Sequence, residues 1–260
     1  MCGNYKGCKS LKVYINKNIL KYNFINSFMN TYYKVADEIE GWFEYKILTP
    51  VLLEINKHQN QGNILEIGVL FGKSLIPLLT LLKDKEMAVA VDIYHKYRTK
   101  KIEEDQKIQK LKENIRKVFT NDNIFDRLKI VRENSSELNH QDYMNYSDNQ
   151  KYRLISIDGS HNKNDVFIDI INSTKIITPD GLMIIDDYGQ RNWPGVKAAV
   201  DKFLENSNEF RPIYLHFRGN KLILCHINYY DKYINIFKNF EDNYAIKYEK
   251  LCWDQQVWKK

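Results

Sequence analysis

The residues best able to do chemistry lie in two short stretches, each of which follows an apolar run. Asp158 and His161 stand in the sequence D-G-S-H, and Asp186 and Asp187 form an adjacent pair further along the chain. If both runs are strands, the carboxylates emerge at the carboxyl ends of neighbouring strands, where α/β sheets bind ligands. Carboxylates gathered in one place repel one another unless a cation neutralises them. The pattern therefore predicts a divalent-metal site made by Asp158, Asp186 and Asp187.

The ligand types and a nearby base indicate which chemistry such a site would do. Oxygen ligands with room for water favour Mg²⁺ over zinc, which prefers histidine or cysteine. A hydroxyl coordinated to such an ion loses its proton more easily, and an imidazole such as that of His161 is suited to accept it. One geometric condition applies, because adjacent residues of a regular strand point to opposite faces. The strand must therefore end between Asp186 and Asp187 if both are to bind one ion.

A glycine-bearing turn earlier in the chain predicts a second binding element. Gly68 and Gly72 lie in the sequence LEIGVLFGKS, where a strand ends and a helix is expected to begin. The G-x-x-x-G spacing matches neither the dinucleotide fingerprint nor the P-loop. Asp92, at the end of the next apolar run, is placed to accept hydrogen bonds from ribose hydroxyls. The position of Asp92 therefore indicates that the ligand beside this turn contains a ribose.

The order of apolar runs predicts the fold. Runs such as NILEI, AVAVD, RLKIV, RLISID and GLMIID alternate with segments long enough for helices, which is typical of parallel sheets covered on both faces. RPIYLHF and KLILCHI are separated by three residues and predict an antiparallel hairpin. We expect an α/β fold, a doubly wound Rossmann-like sheet of seven strands. Residues 1–60 are expected to form a helical cap, 61–227 the core, and 228–260 a helical, aromatic-rich extension.

These motifs together resemble the class I S-adenosylmethionine-dependent methyltransferases. Within that class, D-G-x-H followed by I-I-D-D-Y is similar to the metal-dependent sugar O-methyltransferases of the macrocin and mycinamicin type. Catechol-type enzymes usually carry Asp-Ala-x-Lys and Asp-Asn instead, so Gly159, His161 and Asp187 favour the sugar type. The resemblance implies the following roles: cofactor binding by Glu66, Gly68, Gly72, Asp92, Ser135 and Asp158, Mg²⁺ binding by Asp158, Asp186 and Asp187, and catalysis by Asp158 with His161 as general base.

Composition and charge set the wider expectations. The formal net charge of +6 is spread among acidic residues rather than gathered in a block, so a nucleic-acid partner is not favoured. Four cysteines without a CxxC pair indicate a reducing, cytoplasmic setting. No apolar stretch approaches the roughly 20 residues needed to span a bilayer. The terminal segments are candidates for a homo-oligomer contact or a substrate lid.

We therefore predict an enzyme that uses S-adenosylmethionine and Mg²⁺ to methylate a hydroxyl of a sugar or glycosylated small molecule. Other acceptors stay open, namely another small hydroxylated molecule or nucleic acid. A catalytically silent scaffold that kept the fold also stays open, because fold alone does not establish activity. Each motif has a common structural explanation as well, since Asp-Asp often caps a helix and a histidine after a strand is often only a polar loop residue.

Overall fold

The computed structural model describes residues 27–94, 104–216 and 221–244. One seven-stranded sheet runs through these residues in the order β3-β2-β1-β4-β5-β7-β6. The first five strands are parallel, whereas β7 runs antiparallel to both β5 and β6. The predicted fold class is thereby confirmed. The strands are β1 Asn63–Ile67, β2 Ala88–Val91, β3 Leu128–Val131, β4 Tyr152–Ile157, β5 Ile177–Ile185, β6 Phe210–His216 and β7 Lys221–His226.

Helices cover both faces of the sheet, and a hydrophobic cluster lies between the sheet and the helices on each face. The first cluster joins α1, α2, α3, α4 and α8 to one face, and the second joins α5, α6 and α7 to the other. The alternation of the strands serves both clusters, since Ile64 packs in the first and its neighbour Leu65 in the second. The helices are α1 Ser27–Val35, α2 Tyr45–His58, α3 Leu75–Leu79, α4 Glu104–Arg116, α5 His140–Tyr146, α6 Lys163–Ile176, α7 Pro194–Asn206 and α8 Tyr230–Tyr244.

Local signals set where the helices next to the candidate site begin. The side chain of Asn162 accepts a hydrogen bond from the Asn164 N–H and caps α6, so His161 lies directly before this helix. Pro194 occupies the first turn of α7, where its missing N–H costs nothing. Both helices therefore start at the carboxyl edge of the sheet, beside β4 and β5.

A buried ion pair closes the opposite, amino-terminal edge of the sheet. The guanidinium of Arg153, which is 0% exposed, donates to both carboxylate oxygens of Glu86 at 2.9 and 2.8 Å. It also donates to the Gln59 side chain and the Leu81 carbonyl. Burial by itself would raise the pKa of Glu86, but the hydrogen bonds from Arg153 and from two backbone N–H groups outweigh burial and lower it. This edge is fully paired and has a structural role.

Replacing Arg153 with Met should lower the free energy of unfolding by about 3–5 kcal/mol, because it leaves the Glu86 carboxylate buried without its cation. Urea unfolding followed by circular dichroism measures the change. Lys57→Met is the matched control, since Lys57 pairs with Glu54 at the surface and such pairs contribute about 1 kcal/mol or less. Similar losses in the two variants would contradict a structural role for the buried pair.

Candidate active site

The loop after β1 passes directly against the backbone that follows β4. Gly68 has φ +84°, and a Cβ added there would lie 2.0 Å from the Asp158 carbonyl oxygen. Gly72 has φ +85°, and its added Cβ would lie 2.5 Å from the Leu111 side chain. Both positions have the positive φ that favours glycine, and at Gly68 a Cβ would also collide with backbone atoms. Gly68 therefore lets the exits of β1 and β4 meet at the point where strand order reverses, whereas Gly72 packs against α4.

Asp92, at the end of β2, fixes this loop through its carboxylate. Oδ2 accepts hydrogen bonds from the backbone N–H groups of Val69 and Leu70 at 2.7 and 2.8 Å, and Oδ1 accepts one from Tyr94. An ionised carboxylate offers about four acceptor positions. One position therefore stays open for a ligand hydroxyl, and the predicted ribose contact is compatible with the loop-fixing role that the sequence did not reveal.

Glu66 is a buried carboxyl group without a partner at the end of β1. It is 0% exposed, and neither carboxyl oxygen has a hydrogen-bond partner in the described part of the chain. Burial raises its pKa to about 8, and the Lys221 charge offsets only part of that rise. An unpartnered carboxylate beside a glycine loop suits a cationic group such as the ammonium of an amino acid. The residues here therefore fit the methionine end of S-adenosylmethionine.

Lys221, which the sequence analysis missed, is a buried cation among the predicted metal ligands. Its Nζ lies 2.6 Å from Asp186 Oδ2 and 3.4 Å from Asp158 Oδ2, and its side chain is only 2% exposed. Burial alone would lower the pKa of Lys221, but the two carboxylates raise it above its usual value. In the antiparallel pairing, Ile185 faces Leu222, so Lys221 stands opposite Asp186. Because the strand KLILCH is buried at nearly every position, its sequence has no polar alternation that marks the face of residue 221.

Asp158 lies between this lysine and the other acids. Burial raises its pKa well above the usual value, the Asp186 and Glu66 carboxylates raise it further, and Lys221 opposes the rise. A further cation near Asp158 would favour its ionised form.

Asp186 and Asp187 part at the end of β5. The strand ends at Ile185, and Asp187 has φ +57°, a left-handed conformation that turns its side chain away from that of Asp186. Asp187 Oδ2 lies 2.8 Å from His161 Nε2. One ligand atom each from Asp158, His161 and Asp187 lie within 4.8 Å of one another, so this trio fits a divalent ion. Of the three predicted ligands, Asp158 thus lies near both others: it joins Asp187 in the trio with His161, and it shares the Lys221 ammonium with Asp186.

Contacts to both its ring and its backbone fix the position of His161. Its ring stacks on Trp193 with the centroids 4.0 Å apart and the planes 17° apart, and Asp187 holds Nε2. Its carbonyl oxygen would lie 2.4 Å from a Cβ at Gly195, so only glycine lets α7 approach so closely. A small pocket adjoins it, lined by Asp158, Ser160, His161, Asp186 and apolar residues of β4, β5, α6 and α7. His161 is thus fixed in the wall of this pocket.

The last predicted cofactor residue lies at the exit of β3. Ser135 is 9% exposed, and its hydroxyl donates a hydrogen bond to Asp169 Oδ2 of α6 at 3.2 Å. Tyr188, which follows the acidic pair in the sequence, is buried, and its hydroxyl donates a hydrogen bond to Asp201. It therefore packs in the core.

The strand order, the switch point between β1 and β4, and the glycine loop tied to Asp92 define the class I methyltransferase fold. Residues 65–188 match the model of a family described as a methyltransferase domain. The predicted resemblance is confirmed, and so is the prediction of an S-adenosylmethionine-dependent methyltransferase. No curated protein matches the chain. In the described part of the chain, no helix has both the length and the apolar character needed to cross a bilayer.

Solved structures share the fold at low sequence identity. A TDP-rhamnose 3′-O-methyltransferase of calicheamicin biosynthesis is 16% identical with a TM-score of 0.52, covering 76% of this chain and 92% of that one. An O-methyltransferase from Bacillus cereus, solved with S-adenosylhomocysteine, is 17% identical with a TM-score of 0.50, covering 76% and 89%.

Replacing Lys221 with Met should destabilise the protein by about 3–5 kcal/mol, because Asp158 and Asp186 lose their buried cation. Lys175→Met, at an exposed lysine of α6, is the control and should change stability by less than about 0.5 kcal/mol. The free energy of unfolding in urea is the measurement. Equal midpoints for the two variants would show that Lys221 contributes no more than a surface lysine.

Proposed function

We propose that this protein transfers the methyl group of S-adenosylmethionine to a hydroxyl of a sugar or glycosylated small molecule, with the help of a divalent ion such as Mg²⁺. The observation that carries the proposal is the trio of Asp158, His161 and Asp187 at the carboxyl ends of β4 and β5 in a methyltransferase core, with Asp158 and His161 lining a small pocket there. A sugar acceptor is supported by the D-G-x-H and D-D pattern and by the fold shared with the TDP-rhamnose enzyme.

The cofactor would lie across the exits of the first four strands. Glu66 and the loop of Gly68 and Gly72 would hold the methionine end, because this region combines an unpartnered carboxylate with a close backbone approach. Asp92 would receive a ribose hydroxyl, and Ser135 would contact the adenine. The cofactor supplies a methylsulfonium electrophile, so no covalent enzyme intermediate is needed.

The acceptor hydroxyl is a poor nucleophile until its proton is removed. A divalent ion held by the Asp158 and Asp187 carboxylates would lower the pKa of that hydroxyl and fix its oxygen in place. His161 would take the proton as the oxygen bonds to the methyl carbon, the bond from that carbon to sulfur breaks, and S-adenosylhomocysteine leaves. An ionised Asp187 can only accept, so His161 Nε2 carries a proton towards it and Nδ1 is left as the proton acceptor. Asp186, the third predicted ligand, enters the proposal as the partner of Lys221.

Asp187→Asn should lower kcat by roughly 10²-fold or more. The substitution weakens binding of the divalent ion, and it removes the carboxylate that orients His161, the general base. Mg²⁺ should raise the Tm of the wild type and not that of the variant. Binding of S-adenosylhomocysteine, measured by calorimetry, should stay nearly unchanged. Glu205→Gln, at an exposed acid of α7, is the control. Full turnover by Asp187→Asn in the presence of a chelator would refute the metal mechanism.

The acceptor class is tested with labelled S-adenosylmethionine and a panel of nucleotide sugars, glycosylated metabolites, catechols and RNA. Label should pass to sugar hydroxyls in preference to the others. Transfer confined to catechols or RNA would replace the sugar proposal with that acceptor. A wild type that does not bind S-adenosylhomocysteine would favour a silent scaffold.

A further inference from the structure

We infer that Asp169 is a positioning residue. It accepts the hydrogen bond of the Ser135 hydroxyl, so that the oxygen of Ser135 is left to accept a hydrogen bond from the amino group of the cofactor's adenine. The inference rests on the cofactor site proposed above at Ser135. It adds a residue that the sequence did not single out, and it gives that residue a measurable effect on which purine the site accepts.

Asp169 is costly where it lies, which argues for a role beyond packing. It is 0% exposed in the middle of α6, with the buried apolar side chains Val166 and Ile170 on the same helix. Its Oδ2 accepts the Ser135 hydroxyl, whereas Oδ1 has no hydrogen-bond partner among the described residues. A half-satisfied buried carboxyl destabilises the fold, and an apolar side chain would pack there at no such cost. A need for the carboxyl group at this position explains why it is present.

The carboxyl and its serine lie at the edge where the cofactor is proposed to bind. A Cβ at Gly159 would stand 3.9 Å from both Ser135 Oγ and Asp169 Oδ2. A Cβ at Gly68 would in turn stand 2.6 Å from the Gly159 backbone nitrogen. Asp169, Ser135, Gly159 and Gly68 therefore form a continuous line along the exits of β3, β4 and β1. Ser135 is the partly exposed member next to the fully buried Asp169.

The direction of the hydrogen bond decides what Ser135 offers to a ligand. A hydroxyl has one O–H donor and two acceptor positions, and an ionised carboxylate can only accept. When Asp169 accepts the hydrogen bond of the Ser135 O–H, only the acceptor positions of the Ser135 oxygen remain for the ligand. The amino group of adenine is a donor and matches them. A purine with a carbonyl at the same place, such as hypoxanthine, would oppose oxygen to oxygen and lose roughly 10- to 100-fold in affinity.

The test compares two ligands by calorimetry at pH 8, namely S-adenosylhomocysteine and its deaminated analogue S-inosylhomocysteine. Burial raises the pKa of Asp169 to about 7, so the carboxyl group is mostly ionised at pH 8. The wild type should prefer the adenine compound roughly 10- to 100-fold. In Asp169→Asn the amide can donate to Ser135 and free the serine proton for a carbonyl, so the preference should fall to about threefold or less, or reverse.

Two further variants keep the outcome decisive. Asp126→Asn, at an exposed aspartate, should keep the wild-type preference. The double variant Ser135→Ala/Asp169→Leu removes both polar groups without leaving either unpaired, and it should bind the two ligands with similar affinity even if Asp169→Asn does not fold. An unchanged ratio in a folded Asp169→Asn or in the double variant, or the absence of a preference in the wild type, would overturn the role of Asp169. Failure of the wild type to bind either ligand would instead overturn the cofactor site, and this inference with it.

Discussion

The site at the carboxyl ends of the strands depends on one constraint, the balance of charge between its carboxylates and the buried Lys221. Glu66, Asp158 and Asp186 end three parallel strands on the same face of the sheet, where little water can separate their charges. Like charges at such distances cannot all stay ionised without a counterion. Lys221 supplies that counterion from β7, and it arrives there only because β7 pairs antiparallel with β5 in one register. The C-terminal hairpin is therefore part of the site.

The two ends of the sheet use buried charge in different ways. At the amino edge, Arg153 and Glu86 satisfy each other with several hydrogen bonds, as expected of a pair that stabilises the fold. At the carboxyl edge, Glu66 has no hydrogen-bond partner within the described ranges, and Asp169 uses only one of its oxygens. Glu66 and Asp169, each with a carboxyl oxygen that lacks a partner within those ranges, lie near the ends of the strands where the cofactor is proposed to bind.

The sequence was sufficient for the fold and for part of the site. Apolar runs such as NILEI gave the strands, because buried parallel strands leave no polar alternation, and the short gap before KLILCH gave the hairpin. Lys221 and Asp169 were missed because their partners are set by tertiary packing, across a register or between a helix and a distant loop. A lysine at the start of a strand and an aspartate within a helix are usually solvated residues. Neither is distinguishable from sequence until its neighbours are known.

The two adjacent acids Asp186 and Asp187 contact different partners, Lys221 and His161 respectively. Regular strand geometry would already send adjacent side chains to opposite faces, and the left-handed turn at Asp187 lets its carboxylate reach His161 beyond the end of β5. Aspartate tolerates that conformation better than most residues. Asp186 stays in line with the strand and meets Lys221. The first acid of the pair thus balances charge among the acids of the sheet, and the second orients the histidine.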